Sequence, residues 1–395
     1  MGFTFLHLRI VILFKLNKNH LFMLSNEGKA LLVLNGLPHV GPITLNRLMN
    51  AFDGDAVKLM QSDAKVLMKV EGVGPKIAET LSGWRKHFDL KRELALMEKH
   101  QVGFVTWEDE EYPSVLRQIP DPPIGLYKCG SLSLKEVRCI GIVGTRKATL
   151  YGQKQAGRIA ARLAQAGYCI VSGMARGVDA AAHRGALDAG AATVGVLGCG
   201  PDIVYPPENA DLYGRMQSGG ALVSEFPFGR GADRQTFPMR NRVVAGMCEA
   251  VVVVESAKSG GSMITARFAG EQGRQVFALP GRVDQSSSAG CHQLIRDGAT
   301  LVTCAEDILD ELGAVGQGMI DLQMEVEGEK LKASQELSEL EGRVYAVLDA
   351  GELLLLEEVA GRAEVPVQEA ASSLMMLELK RLVVKRVDGR FERRG

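Results

Sequence analysis

Cys139-Ile140-Gly141-Ile142-Val143-Gly144-Thr145-Arg146 is an apolar run of strand length that ends in a glycine turn, and Tyr151–Ala166 continues from it with helical periodicity. The same alternation recurs downstream. Tyr168–Val171, Thr193–Leu197, Ala221–Ser224, Ala250–Glu255 and Gln275–Leu279 are short and nearly all apolar. Helical stretches at Val178–Ala189, Glu208–Gln217 and Ser262–Gln272 fall between them. Near-continuous apolar strands alternating with helices predict an α/β domain with a parallel sheet and helices on both faces.

The turn after Val143 has a chemical consequence. Backbone N–H groups at the positive end of a following helix favour an anion, and Arg146 adds a guanidinium able to bond phosphate through two donors. Two more loops resemble it: Ser172-Gly173-Met174-Ala175-Arg176-Gly177-Val178-Asp179, and Ser259-Gly260-Gly261-Ser262, which opens a helix with Thr265 and Arg267. Ligands of open parallel sheets lie beyond the carboxyl ends of the strands. Gly144, Thr145, Arg146, Ser172, Gly173, Arg176, Gly261 and Ser262 are therefore candidate phosphate contacts on one edge. Each loop also has a plain reading, because glycine turns are needed simply to join strand to helix. The dinucleotide fingerprint is absent and no acidic residue follows Val171-Ser172-Gly173, which disfavours a nicotinamide cofactor. Neither a Walker A pattern nor a G-x-S-x-G elbow occurs.

Phe237-Pro238-Met239-Arg240-Asn241-Arg242 gathers two cations, an amide and an aromatic ring. Single-stranded nucleic acid needs charge for its backbone and rings for its bases, so Phe237, Arg240, Asn241 and Arg242 join the candidates. The structural alternative pairs Arg240 or Arg242 with Glu225 or Glu255. For an enzyme, Asp179, His183, Glu225 and Glu255 are the groups near this edge. His183 follows Asp179 by four residues on one helix face, and an Asp179–His183 pair closing the helix against its loop is the favoured reading. His292 has no companion ligand beyond its neighbour Cys291, so no metal and no cofactor is expected. Met319, Met324, Met375 and Met376 read as packing residues.

The chain has 395 residues, 46% hydrophobic, 24% charged and 6% aromatic, which excludes collagenous, disordered and disulfide-scaffold classes and predicts two or three domains. Seven scattered cysteines without a C-x-x-C pair point to reduced thiols in the cytoplasm and against zinc. The net charge of −1 conceals a segregation: residues 305–341 hold eleven acidic and two basic residues, and residues 379–395 seven basic and two acidic. Residues 1–22 begin with an apolar run, Gly2–Phe14, that is too short for a membrane span, and they fit a signal peptide poorly. They are expected to be a mis-called start or a disordered extension before Met23.

Residues 23–104 carry two turns at an offset of 33, Val40-Gly41-Pro42 and Val73-Gly74-Pro75. Proline suits the first helical position, so each unit reads as helix, glycine turn, helix. The central α/β domain is expected over 105–312 and an acidic, glycine-bearing linker over 313–336. Residues 337–395 then predict three short helices and a hairpin marked by Asp388-Gly389, the plan of a winged helix with Val367–Leu379 as its third helix.

Taken as an ordered set, these residues resemble the DNA-processing protein A (DprA/Smf) family. The resemblance rests on Tyr112-Pro113, Asp121-Pro122-Pro123, Gly144-Thr145-Arg146, Tyr151-Gly152, Ser172 to Asp179 and Ala182-His183. It continues through Val196 to Gly200, Ser224 to Pro227, Phe237-Pro238 with Arg240 to Arg242, Ser262 to Arg267, Gly273 to Gly281 and Leu294 to Ala299. It covers about residues 112–303. It implies an extended Rossmann-like domain flanked by helix-hairpin-helix (SAM-like) and winged-helix domains. The implied function is non-enzymatic: a homodimer binds incoming single-stranded DNA in natural transformation, protects it and loads the RecA recombinase. Lys258, just before the Ser259–Ser262 loop, stands near where members carry a basic residue, and Gly260 stands where many have serine. The rival function is a Rossmann-like hydrolase of small nucleotides with Glu225 or Glu255 as general base.

Overall fold

The computed structural model describes residues 24–313, 337–348, 354–380, 382–385 and 389–393. The expected 1–22 extension, nearly all of the acidic linker, Met319, Met324 and Asp388 of the hairpin turn lie outside the described residues. The chain divides into two compact units, 1–315 and 316–395.

The larger unit is built on a nine-stranded sheet in the order β1-β2-β6-β5-β4-β3-β7-β8-β9. Its strands are β1 (Gly103–Thr106), β2 (Gly125–Gly130), β3 (Cys139–Val143), β4 (Cys169–Ser172) and β5 (Thr193–Leu197). They continue with β6 (Ala221–Ser224), β7 (Ala250–Val253), β8 (Gln275–Ala278) and β9 (Thr300–Leu301). Strands β6 through β9 in that order are parallel throughout. The mixed α/β architecture with helices on both faces matches the expectation. The six strands read from sequence are present within two residues of the expected ends.

Alternation within each strand explains the two cores. Cys139 and Val143 of β3, with Val251 and Val253 of β7, face a layer made by the helices Thr236–Gly246 and Gly261–Glu271. Ile140, Ile142 and Val252 face the opposite layer, made by Leu150–Gln165, Val178–Asp188 and Ala305–Glu311. Successive strand side chains point to opposite faces, so a strand covered on both sides must be apolar at every position. Burying each valine or isoleucine contributes roughly 1.5–3 kcal/mol.

The antiparallel pair β1–β2 is absent from the sequence reading. Gly103 pairs with Lys128 and Thr106 with Gly125, and β2 runs antiparallel to β6. Lys128 hides the strand signal in mid-run; it is buried because its Nζ lies 3.2 Å from Glu111. The boundary expected at 104/105 falls inside β1. Six α-helices and one 3-10 turn from Asn26 to His100 precede that strand, and their core continues into Phe104, Ile124 and Tyr127. Glu93 fastens the two parts, accepting bonds from Tyr127 Oη at 2.7 Å and the Phe228 amide at 3.1 Å. The repeated glycine turns share one conformation: Gly41 has φ −87°, ψ 168° and Gly74 has φ −82°, ψ 172°, each with proline opening the next helix.

The smaller unit contains the helices Glu339–Ala346, Leu356–Ala363 and Val367–Leu379, then the antiparallel strands β10 (Val383–Lys385) and β11 (Phe391–Arg393). Val344, Leu348, Val359, Leu374 and Phe391 form its core. Met375 and Met376, expected as packing residues, are instead exposed at 65% and 46%, because they project from the helix face opposite Leu374 and Leu377.

Candidate nucleic-acid interface

The chain leaves β3, passes through β4, β5 and β6 on one side, and returns to β7 on the other side of β3. The carboxyl ends of β3 and β7 therefore flank the reversal of strand order, the usual ligand position in such sheets. A shallow pocket opens beside it, lined by Arg146, Gly173, Ala175, Arg176, Leu197, Gly198, Cys199, Tyr205, Pro206, Phe237 and Arg240.

Each wall has a local cause. The Gly144–Thr149 loop is locked to the segment just after β7: the Thr145 amide donates to Glu255 O at 2.7 Å. The Glu255 carboxylate accepts from the Thr149 amide at 2.9 Å and from Thr149 Oγ1 at 2.6 Å. Thr149 in turn caps the helix Leu150–Gln165. Arg146 is left exposed, with its guanidinium carbon 4.7 Å from the centre of the Phe237 ring and no ion pair among the described residues. The loop after β4 is held by Asp179, whose Oδ2 accepts from the Gly173 amide at 3.1 Å and the Ala175 amide at 3.3 Å. Gly177, at φ +74°, keeps this loop against the first; a Cβ there would lie 2.4 Å from Thr145 O.

The expectation of amide cradles for phosphate is thus corrected at three positions of the first two loops. The amides of Thr145, Gly173 and Ala175 are spent on Glu255 and Asp179, and the cationic surface comes from guanidinium groups. Arg176 is half-exposed and pairs through Nη2 with Glu208 at 2.7 and 2.9 Å. Arg240 is buried: its Nη1 donates to Gly173 O and, at 2.7 Å, to Val196 O. Burial lowers its pKa and Asp179 partly offsets this; because a guanidinium keeps its proton in proteins, Arg240 still forms a charged floor. Gly173 is glycine for this reason, since a Cβ would sit 2.5 Å from the Arg240 guanidinium carbon.

Phe237 stands in the first turn of Thr236–Gly246, where Pro238 loses no needed hydrogen bond. Asp233 Oδ1 accepts the Thr236 amide at 2.9 Å and starts that helix. Tyr205 approaches Phe237 with ring centres 5.6 Å apart. Helical spacing then separates the arginines. Arg242 points into the protein, where its Nε lies 3.2 Å from Asp121 and its Nη2 bonds Glu225. The expectation that Arg242 contacts a strand is replaced by the alternative pairing with Glu225, because a guanidinium only 2% exposed offers nothing to a ligand outside. Asn241 accepts from Arg240 Nε at 3.0 Å and donates to Gly261 O at 3.3 Å, which ties the pocket to the next loop. There Lys258 and Gly261 are exposed. Ser262 is buried and donates to Ser256 Oγ at 2.8 Å, and Ser172 is buried and donates to Ile142 O at 2.6 Å. Both hydroxyls are structural.

The family model for DNA recombination-mediator protein A matches residues 103–313. Protein Smf of Synechocystis sp. is 36% identical over 301 residues, 74% of each chain. The chain belongs to this DprA/Smf family. DNA processing protein DprA of Bacillus subtilis is 38% identical over 224 residues, covering 56% of this chain and 75% of that one. The X-ray structure of DNA processing protein A from Streptococcus pneumoniae aligns with a TM-score of 0.63 at 30% identity, over 73% of this chain and 98% of that one.

Among these family residues, the groups a hydrolase would use are otherwise employed. Both Glu255 oxygens are bonded to Thr149, and Glu225 is buried against Arg242, its pKa raised by burial and lowered in part by that arginine. The expected Asp179–His183 pair does not form. His183 instead lies 2.8 Å through Nδ1 from Thr193 Oγ1, and since Thr193 donates to Ile170 O, Nδ1 carries the hydrogen. Burial pushes the His183 pKa down to about 3, which keeps it neutral. No helix among the described residues is long and apolar enough to cross a membrane. Sequence reasoning missed Tyr205; its only signal was an aromatic beside the Pro206-Pro207 turn.

Proposed function

We propose that this protein binds single-stranded DNA across the carboxyl edge of its sheet, shields the strand from nucleases and loads a RecA recombinase onto it during natural transformation. One observation carries the reading: the unpaired Arg146 guanidinium lies over Phe237, with Tyr205 beside it, above the charged floor of Arg240. Guanidinium for backbone and rings for bases within one pocket is the chemistry of sequence-tolerant strand binding. Gly144, Thr145, Gly173, Arg176 and Asn241 hold or line that pocket, and Lys258 with Gly261 extends the edge beyond it.

The flanking parts fit the same work. The two glycine-turn units at 24–100 read as helix-hairpin-helix elements, and the three helices and hairpin of 337–393 as a winged helix. Dimerisation through the sheet domain would set two edges on one strand. The task is cytoplasmic, positions and covers a polyanion, and requires no cofactor or covalent step. Exonuclease digestion of a poly-dT strand tests the shielding: saturating protein slows digestion, and unchanged digestion refutes it. RecA ATP hydrolysis on a strand already coated with a single-strand-binding protein tests the loading; no acceleration refutes it. Light scattering on a size-exclusion column tests the dimer.

A further inference from the structure

Arg176 stands on the rim of the pocket, yet Glu208 already occupies its outer nitrogen with both carboxylate oxygens, at 2.7 and 2.9 Å. We infer that Glu208 sets an upper limit on the affinity of the pocket for DNA. It holds Arg176 in the free protein as an internal substitute for phosphate and gives it up when a strand arrives. The inference rests on the strand-binding reading above.

Three features separate this role from a merely structural ion pair. The partners are exposed at 49% and 61% of their side chains, so solvent and a phosphate both reach them, and pairs of this kind are weak enough to exchange. The Arg176 loop does not need Glu208 to keep its shape. Asp179 binds the amides of Gly173 and Ala175, and Asn209 Nδ2 donates to Met174 O at 2.9 Å and Ala175 O at 3.4 Å. Lastly, Asn209 is buried and directly follows Glu208, so the carboxylate is presented at Arg176 by a pinned backbone rather than by chance.

The result is a mouth whose exposed, unpaired cation among the pocket arginines is Arg146, because Arg176 is neutralised by Glu208 and Arg240 is buried with its donors on Gly173 O, Val196 O and Asn241 Oδ1. A phosphodiester must compete with a tethered carboxylate for Arg176. A strand anchored at several phosphates wins that exchange more readily than a single nucleotide, so Glu208 biases the pocket toward polymer. It also keeps the bound strand releasable, as transfer to another protein requires.

The test is fluorescence anisotropy of a labelled dT 20-mer over a salt series, with the full-length wild type, Glu208→Gln and Arg146→Ala. Releasing Arg176 should tighten Glu208→Gln binding about two- to fivefold, the range of an exposed pair. It should also steepen the log–log salt slope by up to about 0.7, since no cation must return to a freed carboxylate. Weaker binding by Glu208→Gln would make the residue a positioning group for Arg176, and unchanged affinity or slope would leave it without a part in binding. Either result overturns the inference. If wild type binds, Arg146→Ala weakens it and Glu208→Gln does not tighten it, the inference alone fails. If wild type does not bind, the strand-binding reading fails with it.

Discussion

Replacing Arg242 with methionine separates a stability role from a binding role. The guanidinium is 2% exposed and lies between Asp121, at 3.2 Å, and Glu225, whose side chains are 25% and 10% exposed. Removing it strands two carboxylates without a counter-ion, and breaking a buried pair from one side costs about 3–5 kcal/mol. At about 2 °C per kcal/mol for a large domain, the melting midpoint should fall by roughly 6–10 °C. Affinity of the folded variant for a dT strand should stay within about twofold, because Arg242 points away from the pocket. The pH response carries a further sign. Burial already raises the pKa of Asp121 and Glu225 above ordinary carboxylate values, and Arg242 opposes that rise. Without Arg242 both groups gain protons on folding at higher pH. Their contribution is then fully present below the unfolded pKa and lost as pH rises through the folded one, so the deficit shrinks on acidification from pH 7 to 5. Calorimetry of Arg242→Met, and of a second variant that adds Asp121→Asn and Glu225→Leu and should recover most of the loss, reads these effects. A midpoint unchanged within 2 °C combined with a tenfold weaker strand affinity would refute the burial argument.

Phe237→Ala should weaken dT binding about 5- to 150-fold, the worth of one stacked base at about 1–3 kcal/mol, with little change in salt slope; an unchanged Kd would remove the ring from the interface. Gly177→Ala forces a Cβ into a left-handed residue at φ +74° and 2.4 Å from Thr145 O, a strain of about 1–3 kcal/mol; an unaltered melt would contradict the loop packing. His183→Gln should flatten stability against pH on the acid side. The wild-type imidazole, with Arg240 and Arg184 adding to the effect of burial, stays neutral when folded down to about pH 3. Its contribution is present above the unfolded pKa of about 6.5 and lost as pH falls, at about 1.4 kcal/mol per unit. Parallel pH profiles of wild type and variant between 6.5 and 4 would contradict the buried neutral histidine.

The parallel strands were legible because a strand covered on both faces has no polar positions, as Cys139–Val143 and Ala250–Val253 show. The β1–β2 pair was not, because Lys128 interrupts it and only the distant Glu111 makes that lysine tolerable. Within the site, Arg146, Gly173, Arg176, Phe237 and Arg240 were all named from sequence and all line one pocket. Sequence spacing did not say which arginine faces outward. On the helix Thr236–Gly246, two residues turn the chain by about 200°, so Arg240 reaches the pocket floor and Arg242 the opposite side. The glycine loops were read as anion cradles from composition, whereas the amides of Thr145, Gly173 and Ala175 in the first two are bonded to Glu255 and Asp179, partners that only the folded chain brings close.

Ultraviolet cross-linking of a 4-thiothymidine-substituted dT strand to the full-length protein, with the adducts mapped by mass spectrometry, tests the central claim most directly. Strand binding over the carboxyl edge predicts adducts at Phe237 and Tyr205, lost in competition with unlabelled single strand and reduced in Arg146→Ala. Adducts confined to residues 24–100 or 337–393, with none at Phe237 or Tyr205, would contradict it.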